Sequence, residues 1–345
     1  MAVTKTILVT GGAGFIGSNF VKHIFSHYPD YRVYVLDALT YAGDPENFSE
    51  ELKNSGRFHF FYGNIRNGNL VDKLMSESDI VVHLAAETHV ARSIYDDTVF
   101  FETDVIGSQV LACNLLKHRN RIERFIHVST SEVYGTAHTD PMTEEHPLNP
   151  TSPYASAKCG ADRLMYSYWV TYHLPIVILR PFNQYGPSQH LEKVVPRFIT
   201  SAIMDEKLNI HGDGKNTRDW VYVGDTCRAL DSAIHTDIDK IKGQVINIGT
   251  GREETIEDVA CKVVGVLNKP KDLFFYIGNR PGQVARHISS TEKAKQLLNW
   301  QAECSFDEGL KMTIDWYCHN RSWWQKLLWM RTVPILTENG IIEQH

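Results

Sequence analysis

Residues 5–20, KTILVTGGAGFIGSNF, decide the fold. The first six form a short apolar run of strand character that ends at Gly11 and Gly12. NFVKHIFSHY (19–28) then has helical periodicity, so Gly11, Gly14 and Gly17 lie between a strand and a helix. A bound pyrophosphate needs backbone N–H groups within reach and no side chain in the way. Glycines at a helix N-terminus supply both, and the helix dipole adds favourable charge.

RVYVLDA (32–38) follows as a second buried strand, giving one βαβ unit. Asp37 near its end stands 20 residues past Gly17. That carboxylate is placed to bind a ribose diol, and it favours NAD over NADP because a 2′-phosphate would be repelled. The bland alternative is a tight turn with Asp37 as a helix cap. Asn64 and Ile65, after the third strand, are placed to flank an adenine. HLAAE, with Leu84, Ala85 and Ala86, ends the next strand beneath the cofactor.

The alternation continues outward. FHFFYGNI, DIVVHLAA, RFIHVSTS and PIVILRPF read as strands, with helices at NLVDKLMS, VIGSQVLACNLLKH and about Ser156 to His173. Continuous apolar strands alternating with helices imply a parallel sheet covered on both faces. After residue 180 glycine, proline and charge become frequent, GQVINIGTG looks like a strand returning to the main sheet, and TIEDVACKVVGVL and FDEGLKMTIDWYCHN read as amphipathic helices. The expected class is α/β: a Rossmann-type doubly wound parallel sheet over residues 1–180, with a returning segment near 220–250. A smaller C-terminal α/β substrate-binding domain is expected over 181–330, interleaved with the first, and a tail over 331–345. The aromatic-rich RSWWQKLLWMRTVPILTENG (321–340) is expected to pack on the smaller domain or on a dimer partner.

Bulk composition narrows the classes. The 345 residues are 43% hydrophobic and 22% charged, with a formal net charge of −6, which argues against a general nucleic-acid binder. No apolar run approaches the roughly 20 residues of a membrane span, and the N-terminus enters a strand without a signal-peptide pattern. Cys113, Cys159, Cys227, Cys261, Cys304 and Cys318 form no CxxC pair, which suits a reducing cytoplasm. Sixteen histidines show no HExxH motif, so no metal site is expected.

SPYASAK (152–158) sets Tyr154 and Lys158 four apart, on one helix face. A tyrosine titrates near pH 10, too high for a base in neutral water. A lysine ammonium and a nicotinamide cation nearby would lower that value. Pro153 at the helix start and Ser152 as a cap fix where the pair points. Without context the pair reads as a surface Tyr and an exposed Lys; after a nucleotide fold and a strand ending in Ser129 and Thr130 it reads as catalytic.

TGxxGxxG, Asp37, Ser129–Thr130 and YxxxK together resemble the extended short-chain dehydrogenase/reductase family, from Ile7 to about Tyr317. Within it, GGAGFIGSNFV, LDALTYAGDPENF, AAETHVARSI, GDGKNTRDWVYVGD, RPGQVARH and TIDWY look most like the dTDP-glucose 4,6-dehydratases. The resemblance implies bound NAD, a nucleotide-diphosphate-sugar substrate and a homodimer. It implies hydro-lyase chemistry: oxidation at C4, loss of water across C5 and C6, and return of the hydride to C6. Tyr154, supported by Lys158, would remove the O4 proton, Glu132 the C5 proton, with Thr130 and Ser131 beside them. The implied cofactor set adds Phe15, Ile16, Thr40, Thr103 and Ser129 to the residues above. The implied substrate contacts are His89, Thr130, Asn183, Lys193, Arg218, Asn247 and Arg280. The cations have an independent rationale, because a nucleoside diphosphate carries about two negative charges that guanidinium forks match.

Three stretches depart from that pattern. Ser131 stands where those dehydratases carry an aspartate, the proposed acid for the leaving C6 hydroxyl. RPFNQYGP looks more like UDP-sugar epimerases and decarboxylases, and Gln283-Val284 replaces a usual His-Asp. A UDP-sugar 4-epimerase or a UDP-glucuronate decarboxylase therefore stays open as an alternative, although an epimerase would leave Glu132 idle. A non-catalytic NAD-sensing relative is a further class, and such proteins often lose the Tyr or Lys that this chain keeps.

Overall fold

The computed structural model describes residues 4–279, 282–336 and 342–344. Seven strands make the central sheet: β1 (Lys5–Thr10), β2 (Tyr31–Asp37), β3 (Phe58–Tyr62), β4 (Ile80–His83), β5 (Arg124–Val128), β6 (Ile176–Pro181) and β7 (Val245–Ile248). Their order is β7-β6-β5-β4-β1-β2-β3, and every neighbouring pair is parallel.

Strand alternation explains the two covered faces. Ile7, Val9, Val35 and Val82 point to one side, where Phe20 and Ile24 of helix Phe15–His27 and Leu230 of helix Val223–His235 bury them. Leu8, Leu36 and Val81 point to the other, against Leu74, Leu111, Leu115 and Met165. The expected doubly wound sheet is what the chain forms, including the late return of β7 beside β6. Strand order reverses at β1, whose neighbours are β4 and β2, so a crevice opens beyond the carboxyl ends of β1 and β4.

Helix Pro153–Tyr172 starts three residues before the expected Ser156, because the Ser152 hydroxyl accepts the Ala155 N–H at 3.2 Å and Pro153 suits the first turn. Beyond β6, helices Val194–Ile203, Ile256–Val266 and Phe306–His319 enclose a second core with Phe198, Leu208, Ile210, Val263 and Ile314. Trp324 is fully buried in that core and donates its indole N–H to the Tyr317 carbonyl at 2.7 Å, so this part of the aromatic C-terminal stretch packs inward.

One helix bears on the expectation that no apolar run approaches a membrane span. Thr98–Lys117 forms a continuous helical rod of 20 residues with an 18-residue window of mean hydropathy 1.2, long and apolar enough to cross a membrane by those measures alone. It is a core helix by its contacts, with Leu111, Ala112 and Leu115 buried against the sheet and Asp104 buried midway. Its π-helical stretch Phe101–Gly107 leaves Phe101 and Ile106 exposed.

Candidate active site

The crevice is built first by glycine geometry. Gly11 has φ +69°, and a Cβ there would meet the Ala85 Cα and N at 2.6 Å. At Gly17 a Cβ would meet the Gly11 carbonyl oxygen at 2.3 Å. Only bare backbone lets the turn close against β4 and the helix close on the turn. Helix Phe15–His27 begins at Gly14 with no side-chain cap and no acid in its first turn, which suits an anionic ligand at its N-terminus.

Asp37 is buried and accepts N–H bonds from Ala13 at 2.9 Å and Leu39 at 2.8 Å. Burial raises its pKa, and these two bonds oppose the rise. Asp37 thus clamps the glycine turn while facing the same cavity as Phe15, Ile16, Thr40, Asn64, Ile65, Leu84, Ala85, Ala86 and Thr103. The cavity, about 450 Å³, continues without a break to Ser129, Thr130, Ser131, Glu132, Tyr154 and Lys158.

Thr130 caps the short 3₁₀ turn Ser131–Tyr134 by accepting the Glu132 N–H at 3.2 Å, which turns the Glu132 carboxylate into the cavity. Thr130 also acts on the Tyr154 phenol, favouring its ionised form. Lys158 is buried and donates to the Val128 carbonyl at 2.8 Å.

The electrostatics differ from the simple sequence argument. Burial pushes the Tyr154 phenol above its ordinary value, and the carboxylates of Asp104 and Glu132 push the same way; only Thr130 opposes. Burial likewise lowers Lys158, against the pull of Asp104 and Asp162. Burial is the largest of these influences on the phenol, because desolvation disfavours its charged form.

Segment 285–290 packs behind Ser131 and Glu132. His287 donates no surface to solvent; its Nε2 lies 2.9 Å from the Gly135 carbonyl and its Nδ1 lies 3.4 Å from Ser131 Oγ and 3.9 Å from Glu132 Oε1.

Residues 8–313 match the family model described as GDP-mannose 4,6 dehydratase. The chain belongs to that family. Low-salt glycan biosynthesis protein Agl12 of Haloferax volcanii is 42% identical, over 90% of this chain and 98% of that protein. A dTDP-glucose 4,6-dehydratase of Actinoplanes sp. is 39% identical, over 92% of this chain and 99% of its own. The crystal structure of DesIV, a dTDP-glucose 4,6-dehydratase from Streptomyces venezuelae solved with NAD bound, superimposes with a TM-score of 0.88 at 38% identity, over 93% of this chain and 99% of that one. The expectation of an NAD-linked nucleotide-sugar 4,6-dehydratase, a hydro-lyase, is met by these relatives.

Four of the remaining expected contacts reach the same cavity of this dehydratase-family chain. His89, Asn183, Lys193 and Arg218 line it. Asn247 does not: it is fully buried, with its side chain accepting from the Tyr134 hydroxyl at 2.8 Å and donating to the Met142 carbonyl at 3.1 Å. The packing beneath the sheet consumes the amide that resemblance placed on the substrate. Arg280 lies outside the described residues.

Several lining groups were not singled out in the sequence. Glu192 accepts from Arg92 at 2.6 Å and from the Tyr41 hydroxyl at 2.7 Å, with the Arg92 guanidinium 4.2 Å above the Tyr41 ring. Burial works to raise Glu192, yet His89, Lys193, His190 and Arg92 hold it at about 2. Arg197 adds a cation to the same wall, its pKa lowered to about 10 by burial and by Arg331. The adjacent Glu192-Lys193 in HLEKVVP was the one available signal; Tyr41 and Arg92 join it only in three dimensions. Among the described residues no cluster of three His, Cys, Asp or Glu side chains offers a metal site.

Proposed function

We propose that this chain is an NAD-dependent 4,6-dehydratase of a nucleoside-diphosphate hexose with a free 6-hydroxyl. The observation that carries the reading is the presence of Tyr154, Thr130 and Glu132 on one wall of a cavity whose other end is the glycine turn with Asp37. The uncapped helix start, the close approaches at Gly11 and Gly17 and the Asp37 carboxylate fit a dinucleotide with an unmodified ribose.

NAD, held by the glycine turn and Asp37, would supply the hydride exchange at C4 and C6 and, when oxidised, a positive charge. Tyr154 takes the O4 proton, helped by Thr130 and by the Lys158 charge. The resulting C4 ketone acidifies the C5 proton, and Glu132 is the carboxylate that reaches it. Lys193, Arg197 and Arg218 bind the diphosphate, with His89 and Asn183 on the sugar. A 4-epimerase on the same scaffold would give Glu132 no work, which favours chemistry that reaches C5 and C6.

The division into a cofactor part (1–180 with the returning β7) and a substrate part (181–330) belongs to this reading, as does a reducing cytoplasm for six unpaired thiols. So does a homodimer. Helix Pro153–Tyr172 packs on the rod Thr98–Lys117, and between them they expose Val99, Phe101, Ile106, Tyr166 and Val170. A second copy of the chain is the occupant that would cover this shared apolar face.

Incubation with dTDP-glucose, UDP-glucose, UDP-GlcNAc, GDP-mannose and UDP-glucuronate, followed by product masses, tests the function. Loss of one water supports it. Loss of carbon dioxide replaces it with decarboxylation, and an isobaric product with epimerisation. Glu132→Gln is expected to stop solvent deuterium from entering C5; persistent exchange removes Glu132 from that role.

A further inference from the structure

A dehydratase must protonate the C6 hydroxyl as it leaves, and the Ser131 hydroxyl is far too weak an acid to do so alone. What stands behind Ser131 is His287, 156 positions away in the chain. The His287 Nε2 sits 2.9 Å from the Gly135 carbonyl, which can only accept, so Nε2 carries the proton and the neutral ring turns its Nδ1 lone pair to Ser131. That carbonyl is fixed: Gly135 has φ +68°, and a Cβ there would meet the Asn149 carbonyl at 2.2 Å. The His287 backbone is fixed as well, its N–H donating to the Thr217 carbonyl at 3.2 Å, while the adjacent Arg286 carbonyl accepts from Ala137 at 3.1 Å. The Phe182 ring packs edge-on against the imidazole at 5.9 Å.

Nδ1 therefore faces two groups that need to exchange a proton: Ser131 Oγ at 3.4 Å and Glu132 Oε1 at 3.9 Å. Both distances are long for hydrogen bonds, as catalytic contacts often are before substrate tightens them. Burial holds the imidazole pKa down at about 4, with Glu132 opposing and Arg218 adding to the fall, so a proton received at Nδ1 is readily passed on.

We infer that His287 is a relay residue that carries the proton taken from C5 by Glu132 to Ser131, and through Ser131 to the departing C6 hydroxyl. The inference rests on the dehydratase reading. The C5–H bond breaks and its electron pair forms the C5–C6 double bond, while the C6–O bond breaks with its pair on oxygen. The proton moves from the Glu132 carboxyl to His287 Nδ1; His287 protonates Ser131 Oγ as Ser131 gives its own proton to the leaving oxygen. One water departs, composed of the C5 proton equivalent and the C6 hydroxyl, and all three residues end in their starting protonation states. No further acid is required.

The test separates C5 deprotonation from water loss. In His287→Gln, and independently in Ser131→Ala, solvent deuterium is expected still to enter C5 of recovered substrate while water loss falls by about 10²-fold. Adding Ser131→Asp to His287→Gln places a true acid at the leaving group and is expected to recover water loss by at least about 10-fold. Equal loss of exchange and water release in both single variants would mark a merely structural role and overturn the relay, as would unchanged water loss in His287→Gln or failure of the Asp rescue. A wild-type enzyme that releases no water from any of the nucleotide sugars instead removes the dehydratase reading, and the relay with it.

Discussion

Asp162→Asn perturbs the buried ion pair that joins helix Pro153–Tyr172 to β6. Asp162 is fully buried and Arg180 is 1% exposed. The guanidinium grips the carboxylate through Nε at 2.9 Å and Nη2 at 3.0 Å and donates its third bond to the Tyr134 hydroxyl at 2.9 Å. Tyr134 passes the link to Asn247 and ends the turn that carries Glu132. The amide keeps the shape, but it turns an N–H₂ toward a guanidinium N–H and leaves the arginine without its buried counter-charge. Arg163, 38% exposed, can swing into water, whereas Arg180 cannot. Breaking one side of such a pair costs about 3–5 kcal/mol. With a urea slope of about 3 kcal/mol per molar, the unfolding midpoint read by tryptophan fluorescence falls by about 1–1.7 M. Asp162→Leu with Arg180→Met removes both charges and recovers most of the loss, because a buried pair is worth little more than well-packed apolar side chains. The arginine, against the opposing effect of burial, depresses the folded-state pKa of Asp162. Its contribution is thus full above the unfolded carboxylate value of about 3.9 and is lost as pH falls through the folded value. The gap between wild type and Asp162→Asn should stay constant from pH ~6 to 8 and close on acidification. An unmoved midpoint, or a double variant as unstable as the single one, refutes the reasoning.

Gly11→Ala is expected to weaken NAD binding more than 10-fold by calorimetry, roughly what 1.4 kcal/mol supplies, since its Cβ would collide with Ala85 from a left-handed backbone position. Asp104 is held at about 7, first by burial, with Lys158 and the Glu87 N–H opposing. A carboxyl raised in the folded state stabilises below its unfolded pKa and loses that contribution as pH rises through the folded value. Asp104→Asn should therefore raise the melting temperature at pH 8 and leave it nearly unchanged at pH 4; a rise at both would assign the effect to packing. Ile106→Glu is expected to convert a dimer to a monomer in sedimentation velocity, and an unchanged sedimentation coefficient would move the interface elsewhere.

Local pattern was enough to read the sheet, because each of its strands is a short apolar run bounded by turn residues. The glycine turn was legible for a similar reason: its geometry depends on neighbours within the same βαβ unit, apart from the Ala85 contact. The Tyr154 electrostatics were not legible, since the push from Asp104 and Glu132 exists only once three separate segments share one desolvated wall. Asn247 shows the converse. The resemblance placed it on the substrate, but Tyr134 and Met142 claim the amide from positions more than a hundred residues away. His287 was visible only as the end of RPGQVARH until the fold set it behind Ser131.

The position of β7 has a consequence for how the chain can be cut. All six residues of β6 are buried, and β7 is the strand that covers its outer edge. A fragment ending at residue 180 would present β6 as a bare, flat, apolar margin with its hydrogen-bonding groups open to any passing strand. The stretch before residue 180 is thus not a detachable module; it acquires a sealed border only after the polypeptide has travelled on to β7 and come back.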